Sequence, residues 1–180
     1  MRHLLIASTA ALLALTATDA HARVVDATPA GFTVRHVIEV SAPAWSAYQA
    51  LTDRIGAWWD PQHTFSGRST NLTIEARPGG CFCEQLPGGA GVRHMTVLYA
   101  DPGKLLRLTG GLGPLQELAV SGTMTWAFMQ QTGNKTTITF TYAVGGYAPG
   151  GLAALAPVVD TVIGTQVARL KRLIDTGHAE

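Results

Sequence analysis

At 180 residues, 47% of them hydrophobic and 14% charged, the chain has the length and apolar content of one domain with a sizeable core. Thirteen Lys and Arg against twelve Asp and Glu leave a formal charge of +1. No basic patch is present that could neutralise several phosphates, which excludes nucleic acid as a partner.

The chain opens on a basic Met1-Arg2-His3, an apolar stretch from Leu4 to Leu15, and the small-x-small run Ala20-His21-Ala22. That is the pattern of an export leader, since the apolar stretch is too short to span a bilayer comfortably. Cleavage is expected after Ala22, giving a signal peptide over 1–22 and a mature domain over 23–180, periplasmic or secreted. No later segment reaches the roughly 18 uninterrupted apolar residues of a membrane span.

Arg23 to Gly31 reads as a loose leader. Phe32 to Val40 then alternates as the first strand, with Val34, His36, Ile38 and Val40 on one side. Pro43 suits the first turn of a helix, and Trp45, Tyr48, Leu51 and Ile55 recur near helical spacing, predicting a broken helix over Pro43 to Trp59 with its break at Gly56. Strands are expected at Asn71 to Arg77, Cys81 to Leu86, Val92 to Ala100 and Leu105 to Thr109, each separated by a Gly/Pro turn. Two longer ones follow: Val120, Gly122, Met124, Trp126 and Phe128 share a face within Leu118 to Gln130, and Ile138, Phe140 and Tyr142 alternate with threonines in the last. One face of this sheet is apolar and the other rich in hydroxyls, as in a sheet solvated on one side only.

A long helix, Leu152 to Ile174, closes the chain. Its apolar stripe runs Leu155, Val158, Val159, Val162, Ile163, Val167, Leu170, Leu173 and Ile174, with Asp160, Arg169, Lys171 and Arg172 opposite. Pro157 belongs near its rigid start and Gly177 at its stop.

The order derived, strand, broken helix, six strands and long helix, is α+β. It describes a curved antiparallel sheet of about seven strands around the terminal helix, an arrangement that tends to enclose a pocket. The short runs Tyr48-Gln49-Ala50-Leu51-Thr52-Asp53, Trp58-Trp59, Arg77-Pro78-Gly79-Gly80 and Val97-Leu98-Tyr99-Ala100-Asp101-Pro102 resemble the START-like, SRPBCC superfamily. Within it they are nearest the branch of the Hsp90-ATPase-activator C-terminal domain and the polyketide cyclases. The resemblance implies the helix-grip fold. Its members include lipid and hormone carriers, cyclases, dehydratases, oxygenase subunits and cochaperone domains, so the fold does not choose the function. That branch usually carries Arg-Phe-Arg-Phe after its double glycine, where this chain has Cys81-Phe82-Cys83-Glu84. The export leader also argues against work with a cytosolic chaperone.

Pairing Leu86 with Val92 across the Pro87 to Gly91 loop sets Glu84 opposite His94, within the roughly 4.5 to 5.5 Å of cross-strand neighbours. A carboxylate and an imidazole facing an apolar interior are candidate catalytic residues or a polar anchor for a ligand. Trp58, Trp59, Phe65, Phe82, Tyr99, Met124, Trp126, Phe128 and Tyr142 are the candidate ligand-binding wall. Leu112 to Leu118 and Gly145 to Gly151 are candidate entrance loops. The expected partner is a small apolar or amphipathic molecule, held by a binding protein. The alternatives are a cyclase-, dehydratase- or hydrolase-like enzyme using the Glu–His pair, or a module that grips a protein segment.

Cys81 and Cys83 fall on one face of a strand. A bond across a single residue demands an awkward backbone, and the plain reading is two small side chains, with a redox or metal role as the alternative. His36, His63 and His94 share no metal-ligand spacing with them, so no metal and no cofactor is expected. Asn71-Leu72-Thr73 and Asn134-Lys135-Thr136 fit the N-glycosylation pattern by chance, and neither a Gly-x-Ser-x-Gly elbow nor a phosphate-binding loop is present.

Overall fold

The computed structural model describes residues 23–180, and the leader expected over 1–22 lies outside them. The elements run β1 (Arg23–Thr28), β2 (Gly31–Val40), α1 (Ala44–Asp53), α2 (Ile55–Trp58), β3 (Leu72–Ile74), β4 (Cys81–Gln85), β5 (Gly91–Asp101), β6 (Leu105–Thr109), β7 (Ala119–Gln130), β8 (Thr136–Tyr147) and α3 (Ala156–Thr176). The strands form one antiparallel sheet in the order β1-β2-β8-β7-β6-β5-β4-β3. This curved open sheet with its long terminal helix is the helix-grip arrangement.

Period-two alternation puts Met124, Trp126 and Phe128 of β7 and Ile138, Phe140 and Tyr142 of β8 on the inner face, all buried. β7 pairs with β8 along its whole length, so these two strands form the spine of the sheet. From the other side α3 supplies Ile163, Val167, Leu170 and Leu173. Gly177 ends the helix in the left-handed region, φ 87°, with its N–H on the Leu173 carbonyl.

Three expectations change. Arg23 to Gly31 is not loose: β1 pairs with β2 at the sheet edge. The sheet therefore has eight strands. The helix breaks at Arg54, φ −119°, and not at Gly56. Gly56 lies inside α2, where an added Cβ would sit 3.1 Å from both the Ser69 carbonyl oxygen and the Thr70 Cα, so its role is close backbone approach. Asp160 and Arg169 do not simply face solvent either. Asp160 Oδ1 lies 3.0 Å from the buried His36 Nε2, at an angle unsuited to a hydrogen bond, while Arg169 Nε donates to the Trp58 carbonyl at 2.8 Å.

Cys81 and Cys83 are joined by a disulfide, with their Cα atoms 5.3 Å apart. This replaces the plain reading of two separate side chains. The β4–β5 register shifts between Phe82 and Cys83, and a bulge bends a strand locally, so the ring closes where the ladder is already irregular. Both cysteines lie on the face opposite the buried Phe82 and Glu84.

Candidate functional site

The sheet's middle is packed solid by its own aromatics. Trp126 meets Phe140 at 4.6 Å and Trp58 at 6.2 Å between ring centroids, and Phe128 meets Tyr48 at 5.6 Å. Open volume, about 340 Å³, lies instead at one end, between the N-terminal half of α3, the turn 61–65 and the Leu112–Leu115 rim. Leu155, Val158, Val159, Val162 and Ile163 form its helical wall, Phe65, Leu112 and Leu115 its sides, and Trp59, His94 and Tyr142 complete it.

The strand ladder brings Glu84 and His94 together by a route the sequence does not show. Glu84 pairs with Val92, not with His94, and Met95 pairs with Phe82. The extra residue on β5 is His94. A bulge turns neighbouring residues toward the same side, and His94 and Met95 are both buried. His94 Nε2 reaches Glu84 Oε2 at 3.0 Å. The expected contact forms although the expected register does not.

Glu84, 1% exposed, accepts two more hydrogen bonds: Phe65 N–H donates to Oε2 at 3.1 Å and Ser66 N–H to Oε1. Burial opposes its charge, but the donors from Ser66, Phe65 and His94 outweigh burial and hold the carboxyl below the usual range. An ionised carboxylate is acceptor-only, so the imidazole nitrogen facing it carries the proton. Burial then pushes His94 below its ordinary value against the pull of Glu84. The imidazole is neutral, and its other nitrogen, Nδ1, holds a lone pair without a hydrogen-bond partner among the described residues.

The remaining polar groups of the wall are already paired. Tyr142 Oη donates to the Gly110 carbonyl at 2.9 Å and accepts Leu112 N–H at 3.1 Å, which pins the rim. Its burial pushes the phenol up to about 12. Gly122 makes room for that ring, since a Cβ there would overlap Tyr142 Cε2. Trp59 Nε1 donates to the His63 carbonyl at 2.9 Å, and Thr64 Oγ1 to Pro61 at 2.7 Å.

Of the expected wall, Trp59, Phe65 and Tyr142 line the open volume. Trp58, Phe82, Met124, Trp126 and Phe128 are buried in the core and do not. Tyr99 is 48% exposed, because a second register shift between Val97 and Tyr99 ends the inward alternation of Met95 and Val97. Leu112 to Leu115 border the opening, whereas Gly145 to Gly151 do not. Sequence reasoning left Gln62, His63 and Thr64 out. It assigned Val158, Val159 and Val162 to packing, although a stripe widening at one end of a helix signals apolar surface beyond what the core uses. It also missed Gln166, 1% exposed, whose Oε1 accepts Asp60 N–H at 2.8 Å and ties the 60–66 turn to α3.

A model of the family described as polyketide cyclase / dehydrase and lipid transport matches residues 31–175. The chain belongs to that family. As a polyketide cyclase / dehydrase and lipid transport protein it sits within the SRPBCC superfamily, as the motifs around Trp58 and Gly79 implied. Solved structures agree on the fold. A conserved protein of unknown function from Enterococcus faecalis superposes with a TM-score of 0.58 at 16% identity, covering 87% of this chain and 77% of that one. The Aha1 dimer from Colwellia psychrerythraea gives 0.57 at 18%, covering 81% and 97%. DynU16, from the dynemicin biosynthetic locus, gives 0.57 at 20%, covering 82% of this chain and 48% of its own. At such identities the likeness is one of fold alone. No curated protein matches the chain in sequence.

The buried groups set an acid dependence whose sign is determined. Burial lowers the pKa of His94 and of His36 below 6.5 despite Glu84 and Asp160, and Glu84 lies below 4.5. In each case the unfolded chain binds protons more readily than the fold, so stability is present above the unfolded value and is lost on acidification. The melting temperature is expected to be level above pH 6.5, to decline as the unfolded histidines charge below it, and to fall further below 4.5 as Glu84 is driven to protonate. A melting temperature that holds or rises as the pH is lowered through 6.5 is incompatible with two neutral buried imidazoles.

Proposed function

We propose that this protein binds a small, mostly apolar molecule in the space between α3, the 61–65 turn and the Leu112–Leu115 rim. One observation carries the reading: about 340 Å³ of open volume walled by Trp59, Phe65, Leu112, Val159 and Val162, against a sheet interior that is otherwise filled. Clefts of this size and lining are the ordinary form of small-molecule sites. Membership of a family associated with cyclisation, dehydration and lipid transport supports it. We also propose that the protein acts outside the cytoplasm. The Met1 to Ala22 leader supports export, and the Cys81–Cys83 bond suits an oxidising compartment.

Native mass spectrometry of gently purified protein tests both parts. The expected result is a chain starting at Arg23 that retains a small molecule, and a Val162→Trp variant, with its wall grown into the space, that does not. Equal retention by the two proteins sinks the placement of the site, and a chain still carrying Met1 sinks export. The Glu84–His94 pair supports a second reading, an acid–base enzyme of the cyclase or dehydratase kind in which the unpartnered Nδ1 takes a proton from the bound molecule. Loss of turnover with binding retained in His94→Phe favours the enzyme, and equal loss of binding favours the carrier.

A further inference from the structure

The interior wall of the cleft offers one uncommitted polar valence. Tyr142 Oη is spent on Gly110 and Leu112, Trp59 Nε1 on His63, and Thr64 Oγ1 on Pro61. Gln62 and His63 are exposed at the mouth. His94 remains, 4% exposed, held by Glu84 through Nε2 and without a partner at Nδ1. A buried polar atom left unpaired is costly in an apolar setting, so a native fold that keeps one calls for an explanation.

Chemistry fixes what can satisfy it. The carboxylate of Glu84 already accepts from Phe65, Ser66 and His94, which orients the imidazole with its proton toward Glu84 and its lone pair away. The free nitrogen is therefore an acceptor and needs a donor. A carboxylate ligand presents acceptors only, and it would bring negative charge toward the buried Glu84 with no cation in the wall to offset it. A compact apolar body bearing a neutral hydroxyl meets both demands. At about 30 Å³ of liquid volume per water, the space corresponds to about eleven waters, which suits one or two fused rings better than a long acyl chain.

We infer that the cleft selects neutral hydroxyl-bearing ring compounds, alcohols or phenols, whose O–H donates to His94 Nδ1, and that it rejects carboxylic acids of the same shape. This rests on the binding reading above and specifies its ligand. Phe65 controls access: its ring lies 5.9 Å from that of His94, and at 53% exposed it is free to turn outward and admit the hydroxyl. Phe82 backs the imidazole at 5.0 Å, which keeps the ring plane fixed.

Titration of the mature chain with 2-naphthol, 2-methylnaphthalene and 2-naphthoate, followed by protein NMR, tests the inference. The three share one ring system and differ only in the group presented. The naphthol is expected to bind about tenfold tighter than the methyl compound, the worth of one hydrogen bond that satisfies a buried acceptor, and the naphthoate weaker than the naphthol by at least that factor. In His94→Phe the naphthol and methylnaphthalene affinities should converge. Equal affinities in the wild type, a naphthoate that binds tightest, or a naphthol preference that survives His94→Phe each overturns the selectivity while leaving the cleft a binding site. Binding of none of the three at that cleft overturns the binding reading and the inference with it. The wild-type series needs no substitution, so it decides the matter even if His94→Phe does not fold.

Discussion

Replacing Glu84 with alanine is expected to lower stability by about 3 to 5 kcal/mol, the usual effect of removing one partner from a buried charged pair. The carboxylate is 1% exposed and accepts from Phe65 N–H, Ser66 N–H and His94 Nε2. Truncation leaves those donors without their acceptor, each worth about 1 to 3 kcal/mol if it stays dry. The chain can recover part of this only by letting the turn around Phe65 and Ser66 swing into water. Amide exchange at those two residues should therefore rise well beyond the change in global stability. Glu84→Gln should fall between, because its amide keeps one acceptor oxygen but turns an NH₂ toward backbone donors. Glu75 supplies the contrast: its partner Arg77 lies 2.8 Å away, but both are more than half exposed, so Glu75→Ala should cost less than about 1 kcal/mol. Urea midpoints of the three variants give the comparison. A Glu84→Ala loss as small as that of Glu75→Ala, with exchange at Phe65 unchanged, would show that the carboxylate does not hold the mouth of the cleft.

How far the sequence could be read follows from where each signal resides. β6 was legible to its boundaries, and β7 nearly so, because one face of each is buried and the period of two is uninterrupted. β1 left no such trace. As an edge strand with Val25 58% exposed, it is held by its ladder with β2 rather than by burial of alternate side chains, and backbone pairing has no composition of its own. The β4–β5 register failed for a related reason. An ideal ladder counts residues, whereas a bulge adds one, and nothing in Val92-Arg93-His94-Met95 announces it. Glu84 and His94 were still found together because the same bulge that spoiled the count turned His94 inward. Tyr99 had no such luck: a second irregularity on the same strand carried it outside.

The position of the open volume was the least legible feature, because unfilled space depends on how several elements pack. Large aromatics on the inner face suggested a ligand wall, yet Trp58, Trp126 and Phe140 fill each other's gaps and leave no room. Space appears where α3 presents valines to a glycine- and proline-rich rim, Leu112-Gly113-Pro114-Leu115, and to the Asp60–Ser66 turn. Those contacts are long-range. Gln166 to Asp60 and Tyr142 to Leu112 hold their places by single hydrogen bonds between segments far apart in sequence.

Core and cleft should therefore separate under mutation. Trp126→Ala, at a site 4% exposed between Phe140 and Trp58, is expected to cost about 3 to 5 kcal/mol, since the flanking rings cannot collapse into an indole-sized hole. It should leave the affinity for a cleft probe such as 2-naphthol within about threefold, because Trp126 is not part of that wall. Val158→Asp should do the reverse. Val158 is 62% exposed in the first turn of α3, where an acidic side chain favours the helix dipole, so stability should stay within about 0.5 kcal/mol. Affinity should drop at least about tenfold, because a hydrated carboxylate replaces an apolar edge of the cleft and opposes its desolvation. Melting curves and titrations of the two variants read both axes. If Trp126→Ala loses binding in proportion to stability, or Val158→Asp keeps full affinity, the bound molecule reaches the centre of the sheet, and the division between a solid aromatic core and a valine-walled cleft fails.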